Sequence, residues 1–338
     1  ALTHGGAQTM LYKLIRESDP SRFAHVIVSL AGPAEMDAAF EDIAPIYHLN
    51  MHTAAGKIRW PLRLVRTIRQ HRPDVLQTWL YHADLLGLVA GRVAGVGNVA
   101  WNVRCSYMGS QYSSPRRRLL LALLAFLSRF PDVIVCNSEA GMRWHSDLGY
   151  RTDRWRIIPN GFDTTLFRPN ASARAVMRAR IGLDGRTQLV GLIARYDAIK
   201  RHDIFIGAAK RVLDCNIDAH FALVGDQCDY DNQALVDLIK RTNHASRFHL
   251  LGEHSDIAAV TATLDIACCT SSGEGFPNIV GEAMSCGVPC VVTDVGDCAS
   301  ILGEAGLVVR RDNEVAFADG LMHMLSLPQD KRSEIGRR

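Results

Sequence analysis

Two glutamates with seven residues between them lie in a glycine-rich segment, SSGEGFPNIVGEAM at 271–284, which follows the apolar run LDIACC. Gly273 and Gly275 allow the backbone of a tight loop to approach a ligand closely. We expect Glu274 to lie in that loop and Glu282 to lie about a turn and a half further on, inside a helix. Both carboxylates can then accept hydrogen bonds from sugar hydroxyls. The other interpretation, two solvated surface glutamates, has about equal weight for the motif alone.

The start of that helix is the second chemical feature. Phe276 and Pro277 lead into it, and a proline suits the first helical turn because its missing N–H needs no intrahelical acceptor there. Backbone N–H groups near Asn278 and Ile279 are then expected to point outwards from the carboxyl edge of the sheet, which suits a phosphate group. An anion site beside two carboxylates indicates a phosphorylated sugar as the ligand.

Two cations five residues apart, Arg195 and Lys200, follow the apolar run QLVGLI. The arginine can make bidentate contacts with a diphosphate, and the lysine supplies a compact point charge. Such a pair stabilises the negative charge that develops on a leaving group. The other interpretation is a solvated loop in which the arginine pairs with Asp197.

Polar residues also follow two strand-like runs of the first half. His82 comes after DVLQT and can orient or deprotonate a hydroxyl, with Tyr81 or Asp84 beside it. A histidine that caps a helix is the other interpretation. Arg104 follows NVAWNV, where it can contact the same ligand. Near the start of the chain, Gly5–Gly6 can bring a helix backbone close to a phosphate or an acceptor, although the pair also suits a plain turn.

The elements that must position these residues alternate between strand and helix. Ten strand-like runs are expected, at 24–30, 74–78, 98–103, 132–136, 155–158, 188–193, 219–224, 247–251, 264–269 and 288–293. Helical patterns separate most of them, at 7–17, 60–71, 83–94, 116–130, 202–214, 232–243, 277–286 and 314–326. Such alternation predicts parallel, doubly wound sheets.

Ten strands exceed one small sheet, so we predict two Rossmann-like domains, 1–158 and 159–338, divided at the turn signal IPNG. All the polar groups follow strands and come from both halves, which predicts one cleft between the domains. The first domain lacks the strand that normally precedes a glycine turn, and the second stops directly after a helix. From the sequence we therefore expect both ends of the chain to be truncated.

Composition excludes several classes of protein. The 338 residues are 48% hydrophobic and 22% charged, as in globular proteins. The longest apolar run, 119–127, is too short to span a bilayer, and residues 1–30 lack the basic start and apolar core expected of a secretory signal. Nine cysteines without a CxxC motif indicate a reduced, cytoplasmic protein without a zinc site. The net charge of +3 and the absence of a nucleic-acid motif argue against nucleic acid as a partner.

Residues 271–290 resemble the E-x7-E signature of retaining glycosyltransferases of family 4, which have the GT-B fold, with Glu274 and Glu282 as the two glutamates. The pair Arg195 and Lys200 resembles the diphosphate clamp of that family. Three more segments are similar to family segments: the interdomain IPNGFD, the N-terminal GGA and the VVTDVG that follows the second glutamate. The likeness covers nearly the whole chain.

The resemblance implies a nucleotide-diphosphate sugar as donor, bound mainly by the second domain, with Glu282 on the ribose and Glu274 on the sugar ring. It implies transfer with retention of configuration, an acceptor held by the first domain, and neither metal nor other cofactor. Catalysis is assigned to Glu274, Arg195, Lys200 and His82. Donor binding is assigned to Glu282, Gly275, Phe276, Pro277, Asn278, Ile279, Leu251, Gly5 and Gly6, and Arg104 and Tyr81 are the acceptor-side candidates.

Two details depart from the family pattern or extend it. Trp79 occupies the spacing usual for the family's histidine, and His82 comes three residues later. The segment TWLYHADLLG is similar to that of enzymes of capsule, exopolysaccharide or O-antigen synthesis, which use glycan or lipid-linked acceptors at the cytoplasmic membrane face.

Arg116, Arg117 and Arg118 precede the apolar run 119–127. We expect that run to pack on the sheet and keep peripheral docking of the arginines on anionic lipid as a hypothesis.

Other functions remain open at this point. A GT-B epimerase would convert the nucleotide sugar without an acceptor, and a non-catalytic protein would bind it without turnover. A nicotinamide dehydrogenase is disfavoured because no GxGxxG follows a strand. The DYD triplet at 229–231 is interpreted as a polar turn and not as a metal site.

Overall fold

The structure, a computed structural model, describes residues 1–3, 5–104 and 114–337, with only the backbone for 54–58. The described residues up to Asn160 form one compact unit, the N-terminal unit, and those from Gly161 onwards form a second, the C-terminal unit. The alternating strands and helices of both confirm the predicted α/β class with two Rossmann-like domains. Among the described residues, no helix is both long and apolar enough to cross a membrane.

The N-terminal unit contains a two-stranded and a four-stranded sheet, both parallel. Its strands are β1 Ile27–Ser29, β2 Ile46–His48, β3 Val75–Gln77, β4 Asn98–Val103, β5 Val133–Cys136 and β6 Trp155–Ile157. Its helices are α1 Gly6–Arg16, α2 Asp37–Glu41, α3 Ala54–His71, α4 Tyr81–Ala94, α5 Pro115–Leu127 and α6 Glu139–Asp147. The larger sheet has the order β3-β4-β5-β6, so successive strands are neighbours.

The C-terminal unit is built on one six-stranded parallel sheet. Its strands are β7 Gln188–Ile193, β8 Ala219–Val224, β9 Phe248–Gly252, β10 Ile266–Cys269, β11 Cys290–Thr293 and β12 Gly306–Val309. Its helices are α7 Ala171–Arg180, α8 His202–Asp214, α9 Gln233–Lys240, α10 Ile257–Thr263, α11 Asn278–Ser285, α12 Cys298–Leu302, α13 Glu314–Ser326 and α14 Gln329–Gly336. Helices cover both faces, because successive buried residues of one strand, such as Leu189 and Val190, belong to different core clusters.

The strand order of this sheet, β9-β8-β7-β10-β11-β12, fixes where a ligand is expected. The chain first adds strands on one side of β7 and then returns to add β10 on the other side. The direction of winding therefore reverses between β7 and β10. In open α/β sheets, ligands bind outside the carboxyl ends of the strands at such a switch point. The loops that follow β7 and β10 are the ones that carry the two strongest sequence motifs.

Two strands escaped the sequence prediction, and one helix packs differently from expectation. β2 and β12 have three and four residues, but β1, β3 and β6 are as short and were predicted, so length alone does not explain why these two were missed. In α5, Leu121 and Leu124 are buried as expected, whereas Leu119 and Phe126 are exposed. The run LLLALLAFL is apolar on every side of the helix, so its sequence could not indicate which side faces the sheet.

Candidate functional site

Direct hydrogen bonds join the loops that follow β7 and β10. The Thr270 hydroxyl donates to the carbonyl of Lys200 at 2.7 Å. The backbone N–H of Ser272 donates to the carbonyl of Ile199 at 2.8 Å. The cationic motif and the glutamate motif, which are some seventy residues apart in sequence, therefore form one surface at the switch point of the sheet.

Lys200 and Glu274 form the ionic contact at the centre of this surface. The lysine Nζ lies 2.5 Å from Oε1 of the glutamate, and the Ser271 hydroxyl donates to the same oxygen at 2.6 Å. Burial lowers the pKa of the lysine, but the charge and hydrogen bond of Glu274, with a contribution from Cys269, together outweigh burial and the net shift is upward. The site therefore holds a charged lysine beside a carboxylate whose orientation two donors define.

The backbone beneath Glu274 is held by the loop that follows β11. The Thr293 hydroxyl donates to the Ser271 carbonyl at 2.7 Å, and the Asp297 N–H donates to the Gly275 carbonyl at 3.0 Å. Gly296 has a φ of +56°, and a Cβ there would lie 2.4 Å from the Glu274 carbonyl oxygen. Only glycine fits this contact, so Gly296 allows the two loops to approach each other closely. Sequence reasoning missed Ser271 and Thr293 as supports, because their partners are distant in sequence.

Arg195 is largely exposed and forms an ion pair within its own loop. Its Nη2 lies 3.0 Å from Asp197 Oδ2, and 59% of its side chain is accessible. Asp197 also accepts from the Ile199 N–H at 2.9 Å, which fixes the turn leading to Lys200. Burial raises the pKa of Asp197, but these donors outweigh it and the net shift is downward. The ion pair with Asp197, which was the alternative interpretation of the sequence, is therefore present. The diphosphate role of Arg195 stays a prediction.

Helix α11 begins at Asn278, with Pro277 as its N-cap, one residue later than predicted. Backbone N–H groups at a helix start carry partial positive charge, as the phosphate prediction requires. Gly281 allows α11 to pack closely against the ring of Phe162. A Cβ at this position would lie only 2.2 Å from the ring. That ring in turn stacks on Phe276, with 6.0 Å between centroids. The packing fixes the direction of α11. Ile279 is half-buried at its start.

Glu282 is half-buried on α11, one turn before Cys286. Burial raises the pKa of the Cys286 thiol to about 12, and the nearby charge of Glu282 contributes in the same direction. The carboxylate therefore lies close to this buried thiol. We predict that Glu282 contacts the ribose of the donor and that it binds the same ligand as Glu274, and both statements stay predictions.

The carboxyl ends of β8 and β9 are also joined. The Gly252 N–H donates to the Cys228 carbonyl at 2.9 Å, and its carbonyl accepts from the Gly225 N–H at 2.8 Å. Leu251, beside this junction, is half-buried against the core. Its contact with a nucleotide base stays a prediction.

Asp229 Oδ1 accepts from the Asp231 N–H at 3.0 Å, as in a polar turn. The described part of the chain contains no group of three or more His, Cys, Asp or Glu residues arranged to hold a metal.

In the N-terminal unit, the predicted acceptor-side residues surround the start of α4. His82 is exposed in the first turn of the helix. Tyr81 is buried, and its hydroxyl lies 2.8 Å from Nε2 of His145. Because Nδ1 of that histidine lies 2.7 Å from the Gly141 carbonyl, Nδ1 is the donor and Nε2 accepts from the tyrosine. Tyr81 thus has an internal partner, and its acceptor role stays a prediction.

Asp84 holds the same loop from below. It is fully buried, and the Thr78 hydroxyl donates to its Oδ1 at 2.5 Å. Burial raises the pKa of the carboxyl to about 8, although the bonds from Thr78 and the Asn102 N–H oppose the shift. Leu80, between these residues, has a φ of +74°, which an L-residue adopts only under constraint. The loop that presents His82 is therefore held in a strained shape.

Arg104 lies over the Trp79 ring, with 4.4 Å from the guanidinium carbon to the ring centroid. It donates to Asn102 at 2.8 Å and to Asn160 at 2.6 Å. Burial lowers the pKa of the guanidinium to about 10, although the nearby Cys136 opposes the shift.

At the start of the chain, Gly5–Gly6 begin α1 as predicted from the glycine turn, with Gly5 as the N-cap.

Two family models match the chain, Glycosyltransferase Family 4 over residues 4–166 and Glycosyl transferases group 1 over residues 187–326. The chain is 25% identical to EpsF of Bacillus subtilis (strain 168) over 308 residues, which cover 87% of this chain and 77% of that protein. It is also 25% identical to the UDP-Gal:alpha-D-GlcNAc-diphosphoundecaprenol alpha-1,3-galactosyltransferase of Escherichia coli over 272 residues, which cover 78% of this chain and 69% of the relative.

Solved structures with the same fold include HepE of Anabaena in complex with UDP and glucose. The TM-score is 0.84 at 23% identity, and the match covers 98% of this chain and 89% of that one. WaaG, a glycosyltransferase involved in lipopolysaccharide biosynthesis, matches with a TM-score of 0.75 at 14% identity, over 98% of this chain and 91% of that one. These neighbours confirm the predicted GT-B fold.

Proposed function

Because this chain belongs to the glycosyltransferases, with a family 4 domain followed by a group 1 domain, we propose that it transfers sugar from a nucleotide-diphosphate sugar with retention of configuration. The acceptor is a glycan or a lipid-linked glycan of a capsule, exopolysaccharide or O-antigen. The observation that carries the proposal is the contact between Lys200 and Glu274 at the switch point of the C-terminal sheet.

The donor diphosphate is expected at this switch point. Lys200 supplies a full positive charge, and the amino end of α11 supplies partial charges from its backbone. Arg195 provides a second cation when a phosphate competes with Asp197 for its guanidinium. Glu274 accepts a hydrogen bond from a hydroxyl of the transferred sugar, and Glu282 accepts one from the ribose. HepE was solved with UDP, which makes UDP-sugars the first donors to test.

The reaction forms a bond between an acceptor oxygen and the anomeric carbon of the donor sugar. The bond from that carbon to the diphosphate oxygen breaks, and its electron pair leaves with the diphosphate. The acceptor proton moves to the departing phosphate oxygen, on the same face of the sugar, so the configuration is retained. Lys200 and the start of α11 stabilise the charge of the leaving group. No metal takes part in the proposed step.

The N-terminal unit is proposed to bind the acceptor. His82 is exposed to reach an acceptor hydroxyl, and Arg104 has guanidinium donors beside the Trp79 ring. A guanidinium held beside an aromatic ring can pair with an anionic group of the acceptor. The relative from Escherichia coli is named for an acceptor in which GlcNAc is joined to diphosphoundecaprenol, which supports a lipid-linked acceptor here.

Two measurements test the proposal. Thermal unfolding with UDP-, GDP-, ADP- and dTDP-sugars identifies the donor, because a bound ligand raises the unfolding temperature. Proton NMR then follows slow hydrolysis of that donor without acceptor, and the first sugar released should have the anomeric configuration of the donor. Release of the opposite anomer contradicts retention. Conversion into an epimeric nucleotide sugar supports an epimerase instead, and binding without any turnover supports a non-catalytic protein.

A further inference from the structure

Cys269 and Cys298 form a pair of hydrogen-bonded thiols in the C-terminal unit. Cys269 is the last residue of β10, Cys298 is the first residue of α12, and both are buried. The two thiols meet because β10 and β11 are neighbours in the sheet and α12 follows β11. The sugar transfer proposed above assigns neither of them a role.

Side-chain hydrogen bonds connect this thiol pair to the contact between Lys200 and Glu274. The Cys269 thiol donates to the Ser271 hydroxyl at 3.7 Å, and that hydroxyl donates to the Glu274 carboxylate at 2.6 Å. The carboxylate in turn accepts from Lys200, and 13% of the glutamate side chain and 27% of the lysine side chain are accessible. The thiol pair therefore lies directly beneath a partly exposed part of the candidate site.

The segment that leads into Cys298 also contacts the backbone beside Glu274. Asp297, which immediately precedes the cysteine, donates its N–H to the Gly275 carbonyl at 3.0 Å. Gly296 approaches the Glu274 carbonyl so closely that a Cβ would lie 2.4 Å from its oxygen. A displacement of Cys298 is therefore transmitted to the Glu274 loop through the backbone as well as through Ser271.

The environment favours the thiolate of Cys269 over that of the other buried cysteines. The hydrogen bond from Cys298 lowers the pKa of Cys269, and the charge of Lys200 contributes in the same direction, so the net shift is downward although burial and Glu274 oppose it. The same bond raises the pKa of Cys298. The remaining buried cysteines that the structure describes have a raised pKa because of burial. Since the thiolate is the reactive form, Cys269 is the nucleophile of the pair.

We propose that Cys269 and Cys298 are an oxidation site, at which hydrogen peroxide converts the thiol pair into a disulfide and inactivates the protein. The Cys269 sulfur attacks one peroxide oxygen, the O–O bond breaks, and the departing hydroxide takes the thiol proton and leaves as water. The Cys298 sulfur then attacks the resulting sulfenic acid, an S–S bond forms, and the second oxygen leaves as water with the proton of Cys298. Two thiols are oxidised and one peroxide is reduced to two waters. The oxidant is small and uncharged, as reaction with a buried pair requires.

The disulfide changes the position of Glu274 in two ways. It holds the sulfur atoms about 2 Å apart, closer than hydrogen-bonded thiols, and so draws the start of α12 towards β10. It also removes the thiol proton that Cys269 donates to Ser271. The expected loss of turnover rests on the proposed function, whereas formation of the disulfide does not.

Treatment of the intact chain with hydrogen peroxide, followed by digestion and mass spectrometry, tests the proposal. Peptides joined through Cys269 and Cys298 should appear. Donor hydrolysis should fall at least about tenfold and return with dithiothreitol, because a small displacement of catalytic groups is costly. Cys269→Ser/Cys298→Ser retains hydroxyl donors and should hydrolyse the donor at the same rate before and after peroxide. Cys298→Ser should form no cross-link, and Cys215→Ser, at an exposed cysteine, should behave like the wild type.

Three results overturn the proposal. The oxidised wild type contains no link between Cys269 and Cys298, the link forms without loss of hydrolysis, or the double serine variant loses activity to peroxide as the wild type does. If the reduced protein hydrolyses no nucleotide sugar, the proposed function fails instead, and mass spectrometry still decides whether the disulfide forms.

Discussion

The ammonium group of Lys200 lies 2.5 Å from Oε1 of Glu274, across two loops that follow neighbouring strands of one sheet. Each residue satisfies the charge of the other. Under the proposed function, a nucleotide-diphosphate sugar brings both a dianionic group for the lysine and hydroxyl donors for the glutamate. We therefore propose that each partner contacts the ligand as well as stabilising the site.

The first prediction concerns the energetic coupling of this pair. Both side chains are partly buried, so removing one partner leaves a charge in a poorly solvated position. Urea unfolding of Lys200→Ala, Glu274→Ala and the double variant should yield a coupling free energy on the order of 1 kcal/mol. The same cycle on the exposed pair Lys331 and Glu334 should give less than half of that. Equal values for the two pairs would contradict the importance of the contact.

Ser271 is predicted to orient the Glu274 carboxylate. Its buried hydroxyl donates to the carboxylate oxygen at 2.6 Å, and hydrogen bonds to charged groups are worth roughly 1.5–3 kcal/mol. Ser271→Ala should lower turnover of the donor about tenfold, with a smaller change in KM. Ser272→Ala removes a longer bond, at 3.3 Å to the Ile199 carbonyl, and serves as the control. Similar kinetics for the two variants would remove the orienting role.

Gly296→Ala is predicted to destabilise the protein by forcing the loop under Glu274 to move. The new Cβ meets a carbonyl oxygen at 2.4 Å, and overpacking of this kind costs about 1–3 kcal/mol. Gly182→Ala is the matched control, because that glycine also has a positive φ but has open space around its Cβ position. The difference in free energy of unfolding between the two variants isolates the clash. The prediction fails if the control loses as much stability.

The pH dependence of stability should contain a contribution from Asp84. Its folded pKa is about 8, whereas an unfolded aspartate titrates near 3.9, so the folded state retains a proton that the unfolded state has lost. This stabilisation is complete below about pH 4 and is lost as the pH rises towards 8.

Asp84→Asn is neutral at every pH and lacks this contribution. Relative to the wild type, its free energy of unfolding should rise between about pH 4 and pH 8. Urea unfolding across that range measures the difference, in which the titration of other groups cancels. Asp74→Asn, at an exposed site, should follow the wild type throughout. A constant difference between Asp84→Asn and the wild type would show that the carboxyl ionises normally.

The sequence predicted where the two loops of the candidate site lie because the relevant signals are local. Glycines, a proline and charged residues directly after strand-like runs indicate loops at the carboxyl edge of a parallel sheet, and the loops with Lys200 and Glu274 lie there. The support from Thr293 and Gly296 depends on contacts between segments distant in sequence, which no local pattern encodes. The exposure of Leu119 could not be predicted either, because a helix that is apolar all round has no amphipathic direction to read.

The most direct test of the central claim is calorimetric titration of the nucleoside diphosphate whose sugar raises the unfolding temperature. The claim is that this diphosphate binds between Lys200 and the start of α11. Lys200→Ala should weaken binding of the diphosphate at least about tenfold, as loss of a charge-assisted contact implies. It should leave the much weaker binding of the parent nucleoside unchanged, and Lys210→Ala on α8 should bind both like the wild type. Unaltered diphosphate affinity in Lys200→Ala, with the fold intact, would contradict the account.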